Sequence, residues 1–401
     1  MSNVSIGSNI WKYYLFKFLD VFALYLPFIV YYFLELGFSL GQIAILQSFM
    51  AITLFIFEIP SGYIADKFGR KNSLIVSVIL QVVSLIILYS ATSFFMLIVA
   101  HIVLGLAISF LSGADSAFLY DTLLVLKQEH NYKKIEGRAS FYGEIAVITS
   151  ALLGSLIIAF GIKYTILISL IGHVLLLFVA FSFKEPLKHE PIEKVPLKKE
   201  FVNLFSIMKR SLHNKKLLGI FIYSFVVLGI SSTIFLFYQP YFKATNLPLY
   251  LYGVVFAIFS LFTALAALKV QDVEKKLGIF GSLLIMPVFL VISLIGASFV
   301  FVWYGFIFFF FRELVRGFVF PVLDDYVNKL TISNERATVL SVGSMFSRLG
   351  LVVISTTFGF LSDSHGIKTM LFVTGFVLLG FTLIIPIFIK NKFNNTKHPV
   401  S

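Results

Sequence analysis

Residues 60–71 read PSGYIADKFGRK and lie between two long apolar segments. A glycine at the first helix end, Gly62, would let that end approach another helix closely. Gly69 permits a tight turn with a positive φ. Asp66 can accept hydrogen bonds from backbone donors at a helix start, or it can form an ion pair with Arg70. The block therefore predicts a short charged turn between two helices.

The composition is that of a membrane protein. Hydrophobic residues make up 59% of the chain and charged residues 13%, with a mean hydropathy of +0.95, whereas soluble domains carry about 25% charged residues. The net charge is +12, but the basic residues lie in short runs between apolar segments, without the aromatic stripe of a nucleic-acid-binding surface. Since the chain has no cysteine and no metal-ligand, phosphate-loop or nucleophile motif, the sequence predicts neither an enzyme nor a metal or cofactor site.

Apolar segments long enough to cross a bilayer fill most of the length. A spanning helix needs about 20 predominantly apolar residues, and the sequence predicts twelve such spans. They are Ile10–Leu36, Leu40–Ile64, Asn72–Tyr89, Phe94–Leu119, Ala139–Phe160, Tyr164–Phe183, Leu217–Tyr238, Leu249–Leu268, Ile279–Ala297, Phe299–Leu323, Ala337–Phe360 and Ile367–Ile389. The first is too long for the apolar part of a cleavable signal peptide, so we expect it to span the membrane.

The basic residues predict the orientation of these spans. Most of the 32 lysines and arginines lie in every second loop and beside the two chain ends, while the intervening loops hold only Lys163, Lys243 and Lys368. Cytoplasmic loops carry such an excess of positive charge. We therefore expect a protein of the cell membrane, inner or plasma, with both termini in the cytoplasm.

One long polar stretch divides the spans six and six. The predicted organisation is a six-helix bundle over 1–183, a cytoplasmic linker over 184–216, a second bundle over 217–389 and a cytoplasmic tail over 390–401. The linker is expected to carry an amphipathic helix around Phe201–Arg210 that lies on the anionic inner leaflet.

An internal repeat indicates that the two halves are related. Gly113 and Asp121, at the end of span four, recur as Gly317 and Asp325 at the end of span ten. Repeats of this kind are typical of transporter folds. The predicted fold class is an all-α membrane protein of twelve transmembrane helices in two pseudo-symmetric six-helix bundles.

The block at 60–71 closely resembles the G-x-x-x-D-x-x-G-R-K loop between spans two and three of the major facilitator superfamily. In that family the loop latches the two halves together while the inner gate is closed. The resemblance implies the major facilitator fold and a gating role for five residues, namely Gly62, Asp66, Gly69, Arg70 and Lys71. The alternative is a solvated turn that serves only as a topology signal.

The residues just before this block indicate a particular branch of the superfamily. Glu58-x-Pro60 resembles the variant loop of a branch of tetracycline efflux pumps. Two other exporter signatures are incomplete. His101-x-x-x-Gly105 stands where exporters often carry R-x-x-x-G, and Gly154-Ser155 stands where antiporters often carry a glycine-proline pair.

Acidic residues within the spans are candidates for proton coupling, because ionisable groups at bilayer depth cost several kcal/mol unless they are paired or wet. The candidates in the N-terminal half are Asp20, Glu144, Glu58 and Asp115. Asp20 is the first choice, since it lies near the middle of span one and precedes Pro27 in the same segment. The alternatives are that Asp20 is only a partner of Lys17, that Glu58 is a gate residue, and that Arg138 neutralises one of the other acids.

Charged residues at similar depth in the C-terminal half are candidates for the substrate cavity. They are Arg312, Glu313, Arg316 and Arg348. An excess of positive charge there would suit an anionic or carbonyl-rich substrate, or would pair with Asp20 or Glu144. The alternative is that Glu313 and Asp324 or Asp325 neutralise the arginines within the same half.

The predicted function is secondary active transport, powered by a proton gradient, by alternating access. We expect efflux of a hydrophobic or amphipathic small molecule, with tetracycline-class drugs favoured. The partners are then the substrate, protons and the lipid bilayer, with the chain working as a monomer and binding no nucleic acid. One alternative is a major facilitator transporter of an organic anion or other metabolite. A non-transporting membrane receptor is a third hypothesis, but it predicts large soluble segments that these residues lack.

Overall fold

The computed structural model describes residues 3–186, 206–331 and 335–393, and those residues are almost entirely helical with no strand among them. Most of the predicted linker, residues 187–205, and the tail from residue 394 onward lie outside the described residues. Of the predicted amphipathic helix, only the part from residue 206 is described, and it is helical.

The described residues form fifteen α-helices. In the first half these are α1 (Asn3–Asp20), α2 (Ile29–Glu35), α3 (Leu40–Phe68), α4 (Arg70–Ser90), α5 (Phe94–Leu111), α6 (Ala114–Val125), α7 (Tyr132–Ile157) and α8 (Ile162–Ser182). Then follow α9 (206–213), α10 (Lys215–Ala244), α11 (Leu251–Ala267), α12 (Val270–Phe299), α13 (Phe309–Leu330), α14 (Arg336–His365) and α15 (Ile367–Phe393).

Nine helical stretches of the described chain are long and apolar enough to cross a membrane, and ten if a pair bent by 54° between α11 and the start of α12 counts as one span. The predicted count of twelve is therefore not confirmed. Predicted span one is divided into α1 and α2 by a non-helical stretch around Pro27. Predicted span ten corresponds in part to α13, which begins only at Phe309 and is less apolar than its neighbours because of its charged residues.

The chain forms two compact units. The first comprises Met1–Tyr32, Leu46–Phe201 and Leu249–Ile258, and the second comprises Phe33–Ile45, Val202–Pro248 and Phe259–Ser401. Each unit thus contains a short piece of the other half of the sequence. The division into halves at the linker stays a prediction.

Aromatic packing holds α1 in the first unit. The rings of Phe16 and Phe118 both contact Phe183, with centroids 5.6 and 4.6 Å away, and all three side chains are fully buried. Such ring pairs stabilise a core beyond their buried area. They fix the end of α1, where Asp20 lies.

Glycines bring helices together in both units. In the second unit, a Cβ on Gly229 of α10 would lie 2.7 Å from the carbonyl carbon of Gly350 in α14. In the first unit, a Cβ on Gly253, at the start of α11, would lie 2.1 Å from the carbonyl oxygen of Ala151 in α7. Small residues allow membrane helices to approach backbone to backbone. These contacts leave no room for any side chain.

Candidate functional site

The loop predicted at 60–71 is a one-residue break between two helices. The helix α3 ends at Phe68 and α4 begins at Arg70, so only Gly69 separates them, with a φ of 100° and a ψ of 147°. The predicted positive φ at Gly69 is confirmed. Asp66 forms an ion pair with Arg70 one helical turn later, which is one of its two predicted contacts.

The other predicted contact of Asp66, a cap on the next helix, is made by a different residue. Glu185, just after α8, accepts a hydrogen bond from the Arg70 backbone N–H at Oε1 and from the Lys71 backbone N–H at Oε2, both at 2.8 Å. A Cβ on Gly69 would lie 2.9 Å from this carboxylate. Because the first backbone N–H groups of a helix lack partners within it, Glu185 stabilises the start of α4.

Gly62 does not have the close helix contact that the sequence predicted. Within the described residues, a Cβ at this position would meet no atom within 4 Å. The glycine therefore lies against open space, and the prediction of a helix approach there is wrong. A gating role for the loop residues stays a prediction.

The position of Glu185 is fixed by Asn9, a buried residue of α1. Its side-chain amide donates to the Lys184 carbonyl oxygen at 2.8 Å and accepts from the Lys184 backbone N–H at 3.0 Å. Neither Asn9 nor Glu185 was singled out from the sequence, since nothing in their local pattern indicates a partner so distant along the chain.

Asp20 lies at the end of α1, partly buried. Its Oδ1 accepts a hydrogen bond from the side-chain amide of Gln81 in α4 at 2.9 Å, and the ring of His173 lies beside its main chain. No Lys or Arg of the described chain forms an ion pair with the Asp20 carboxylate. The neutral partner Gln81 is a functional candidate that the sequence analysis did not identify.

Lys17 forms its ion pair with Asp115 and not with Asp20. Its Nζ lies 2.5 Å from Asp115 Oδ2 and 3.9 Å from Glu136 Oε1, and Tyr13 donates to Glu136 at 3.0 Å. The alternative in which Asp20 serves only as the partner of Lys17 is therefore not what the structure shows. Asp115 is neutralised by Lys17 rather than by Arg138.

The remaining acidic candidates of this half lie on other helices than Asp20. Glu58 lies on α3 and Glu144 on α7, and both are half-buried. Whether any of these acids couples protons stays a prediction.

A buried cluster surrounds Glu313 in the second unit. Its Oε1 accepts hydrogen bonds from Tyr238 and from Arg312, both at 2.7 Å, and its Oε2 accepts one from Thr263 at 2.6 Å. Arg312 also donates to the Ser231 carbonyl oxygen at 3.0 Å. Glu313 is 1% exposed and Arg312 is 6% exposed. Buried ions need such complete hydrogen bonding to offset their desolvation.

A second arginine shares the same carboxylate. Arg316 Nη1 lies 3.6 Å from Glu313 Oε2, and its side chain is 37% exposed. One carboxylate therefore faces two guanidinium groups, which leaves one net positive charge on the more exposed of them. The expected neutralisation by Glu313 is present, but Asp325 pairs with Lys329 instead. Arg348 lies on α14 and is half-buried.

No group of three or more His, Asp or Glu in the described part of the chain could hold a metal ion. The two groups of polar residues described above can supply an exchangeable proton at Asp20 and a positive charge at Arg316.

The family of the chain follows from a comparison with known proteins. The family model described as Major Facilitator Superfamily matches residues 14–355. The chain belongs to the major facilitator superfamily. It is therefore a multi-pass membrane transporter and not an enzyme.

The chain is similar to a known protein in sequence and to solved structures in fold. YxaM of Bacillus subtilis (strain 168), an MFS-type transporter, is 23% identical over 94% of both chains. A variant of the nucleoside transporter NupG has a TM-score of 0.80 at 16% identity, covering 96% of this chain and 99% of its own. A bacterial homologue of the human lysosomal transporter Spinster has a TM-score of 0.78 at 12% identity, covering 100% of both chains. At these identities the solved structures establish the fold alone.

Proposed function

We propose that this major facilitator protein is a proton-coupled exporter of hydrophobic or amphipathic small molecules, with tetracycline-class drugs favoured. It would work by alternating access as a monomer in the cell membrane, with both termini in the cytoplasm. The observation that carries the proposal is the Asp20 carboxylate, which accepts a hydrogen bond from the neutral amide of Gln81 and forms no ion pair with a Lys or Arg of the described chain.

The neutral partner matters because a coupling carboxylate must gain and lose a proton during each cycle. Protonating an ion-paired acid such as Asp115 would remove the nearest counterion of Lys17, which is costly within the membrane. A carboxamide, in contrast, offers both a donor and an acceptor. After rotation of the Gln81 amide, its oxygen could accept the hydrogen of a protonated Asp20. Asp20 can therefore change charge while keeping a hydrogen bond in both states.

The test is Asp20→Asn, which mimics the protonated acid permanently, in membrane vesicles that accumulate a labelled tetracycline under an imposed pH gradient. Uphill transport should vanish, while downhill exchange of labelled for unlabelled drug should survive, because binding and alternation need not involve the proton. Glu144→Gln is tested in parallel as the second candidate, and Lys163→Gln, in a predicted outer loop, serves as the control. Normal uphill transport by Asp20→Asn with an unchanged pH profile would reject Asp20 as the coupling site.

A second candidate function is supported by the cluster at Glu313. Because Arg316 is partly exposed and shares its carboxylate with Arg312, the second unit presents positive charge that an organic anion could bind. In this case Arg316→Gln should abolish uptake of the anion and Arg316→Lys should retain part of it. Drug-susceptibility tests on cells that express the chain separate the two functions, since only the exporter protects the cells.

A further inference from the structure

Asp363, near the end of α14, binds the first turn of α3. Its Oδ1 accepts a hydrogen bond from the Leu40 backbone N–H at 2.8 Å, and its Oδ2 accepts one from the Gly41 backbone N–H at 2.9 Å. All three residues belong to the second compact unit. The partners are more than 300 residues apart along the sequence, so the contact joins the first predicted half of the chain to the second.

The remaining donors of this helix start are satisfied locally. Ser39 and Gln42 form a reciprocal capping box, in which the Gln42 N–H donates to Ser39 Oγ at 3.3 Å and the Ser39 N–H donates to Gln42 Oε1 at 2.9 Å. The helix thus has its own cap, and Asp363 supplies acceptors only for the two N–H groups that are left. When Asp363 withdraws, water can replace it without unravelling α3.

Two glycines bring the helices within reach of this bond. A Cβ on Gly359, one turn before Asp363, would lie 2.7 Å from the Leu40 carbonyl oxygen and 2.9 Å from the Gly41 Cα. A Cβ on Gly41 would lie 2.5 Å from the ring of Phe360. The backbones are therefore in direct contact, and any side chain at Gly359 would hold them apart.

The cap at Glu185 provides a contrast. It also binds two N–H groups of one helix start, at Arg70 and Lys71, but Gly69 has no side chain to cap α4 locally. That carboxylate and that helix lie in the first predicted half of the chain, so alternation does not require their separation. The Asp363 carboxylate, unlike that of Glu185, joins segments from different predicted halves of the chain.

We propose that Asp363, with Gly41 and Gly359, forms an outer latch that must open in each transport cycle. The proposal rests on the proposed topology, which places the start of α3 and the end of α14 at the outer face, and on alternating access. With the latch closed, a passage between α3 and α14 on that side is blocked. Asp363 is thus a positioning residue for transport that acts on conformation and not on substrate.

A buried serine of α14 can report whether the latch is open. Ser355 lies two turns before Asp363 on the same stripe as Gly359, is 0% exposed, and has no hydrogen-bond partner for its Oγ among the described residues. Since the chain has no cysteine, Ser355→Cys introduces a single thiol with little change in size. Its rate of reaction with a membrane-impermeant maleimide on intact cells measures opening from outside.

We expect Asp363→Ala to raise this rate about fivefold, the usual effect of removing a helix cap. Asp363→Asn should recover only part of the difference, because asparagine keeps one acceptor oxygen and places an NH2 donor against the second backbone N–H group. Glu185→Ala removes a cap of the same kind and should not raise the rate. An unchanged rate in Asp363→Ala, or an equal rise in Glu185→Ala, would overturn the latch.

The glycine contact gives an independent test. Gly359→Ala should also raise the rate, whereas Gly380→Ala, where a Cβ would meet nothing within 4 Å, should not. Equal rates in these two variants would count against the proposal. Thr92→Cys, in a predicted outer loop, must react in the same cells. If it does not, the topology of the proposed function is wrong and the latch is not an outer one. If Thr92→Cys reacts and Asp363→Ala has no effect, only the latch fails.

Discussion

The carboxylate of Glu185 occupies the space in which a side chain at Gly69 would lie, since a Cβ built there comes within 2.9 Å of it. The glycine of the family loop therefore meets two requirements at once. It adopts a backbone conformation with a φ of 100°, and it admits the acid that caps the following helix.

Replacing Gly69 with alanine should destabilise the protein. Residues other than glycine cost about 1–3 kcal/mol in this region of φ and ψ, and the added Cβ would displace Glu185 from α4. Thermal unfolding of the purified protein in detergent measures the effect. Gly62→Ala is the matched control, because a Cβ there meets open space. Equal midpoints for the two variants would contradict the role assigned to Gly69.

Asp66→Asn should slow transport while changing substrate affinity by no more than a few-fold. The residue is exposed and pairs with Arg70 at the end of α3, so we expect it to affect the conformational cycle and not substrate binding. Initial transport rates in vesicles and equilibrium binding of the same labelled substrate separate the two effects. Lys67→Gln, an exposed neighbour, serves as the control. A large loss of binding with normal rates of alternation would reject the gating role.

Glu313→Gln should lower the free energy of unfolding by about 3–5 kcal/mol, because it leaves the buried Arg312 without its counterion. Removing both charges in Arg312→Met/Glu313→Gln should restore part of this loss, since no unpaired buried charge remains. The free energy of unfolding is measured from the change in tryptophan fluorescence on unfolding, or compared between variants by thermal shift. A double variant less stable than Glu313→Gln alone would show that the ion pair is not what the cluster depends on.

Single cysteines at Ser2, Lys194 and Ser401 should resist a membrane-impermeant thiol reagent in intact cells. The distribution of basic residues places these positions in the cytoplasm, and the chain offers no background thiol. Thr92→Cys is the control that should react from outside. Reaction at any of the three cytoplasmic positions before cell lysis would overturn the orientation.

Much of the fold could be predicted from hydrophobicity alone, because a spanning helix needs a long apolar run and little else. The loop at 60–71 could be placed for the same reason, and its positive φ follows from the glycine at position 69. The bend between α11 and α12 lies where predicted span eight ends, at Leu268. The break in span one around Pro27 escaped prediction. That segment remains apolar, so hydrophobicity does not distinguish a broken helix from a continuous one.

The polar partners could not be predicted, since they depend on which helices become neighbours. Gln81 lies 61 residues from Asp20, and Asp363 lies 323 residues from Leu40. A neutral glutamine within an apolar segment carries no signal of the acid that it binds. Similarly, an aspartate at a helix end resembles any solvated residue until its partner helix is known.

The backbone contact between Gly253 and Ala151 has an energetic consequence. With no side chain on the glycine, the contact at this position consists of only a few atom pairs, and each pair contributes about 0.1–0.2 kcal/mol. One elementary charge that crosses a membrane potential of 100 mV releases about 2.3 kcal/mol. The electrical work of a single ion is therefore larger than the energy needed to break a glycine contact of this kind. Separating interlocked leucine side chains, which make many more atom contacts, would need more energy than one ion supplies.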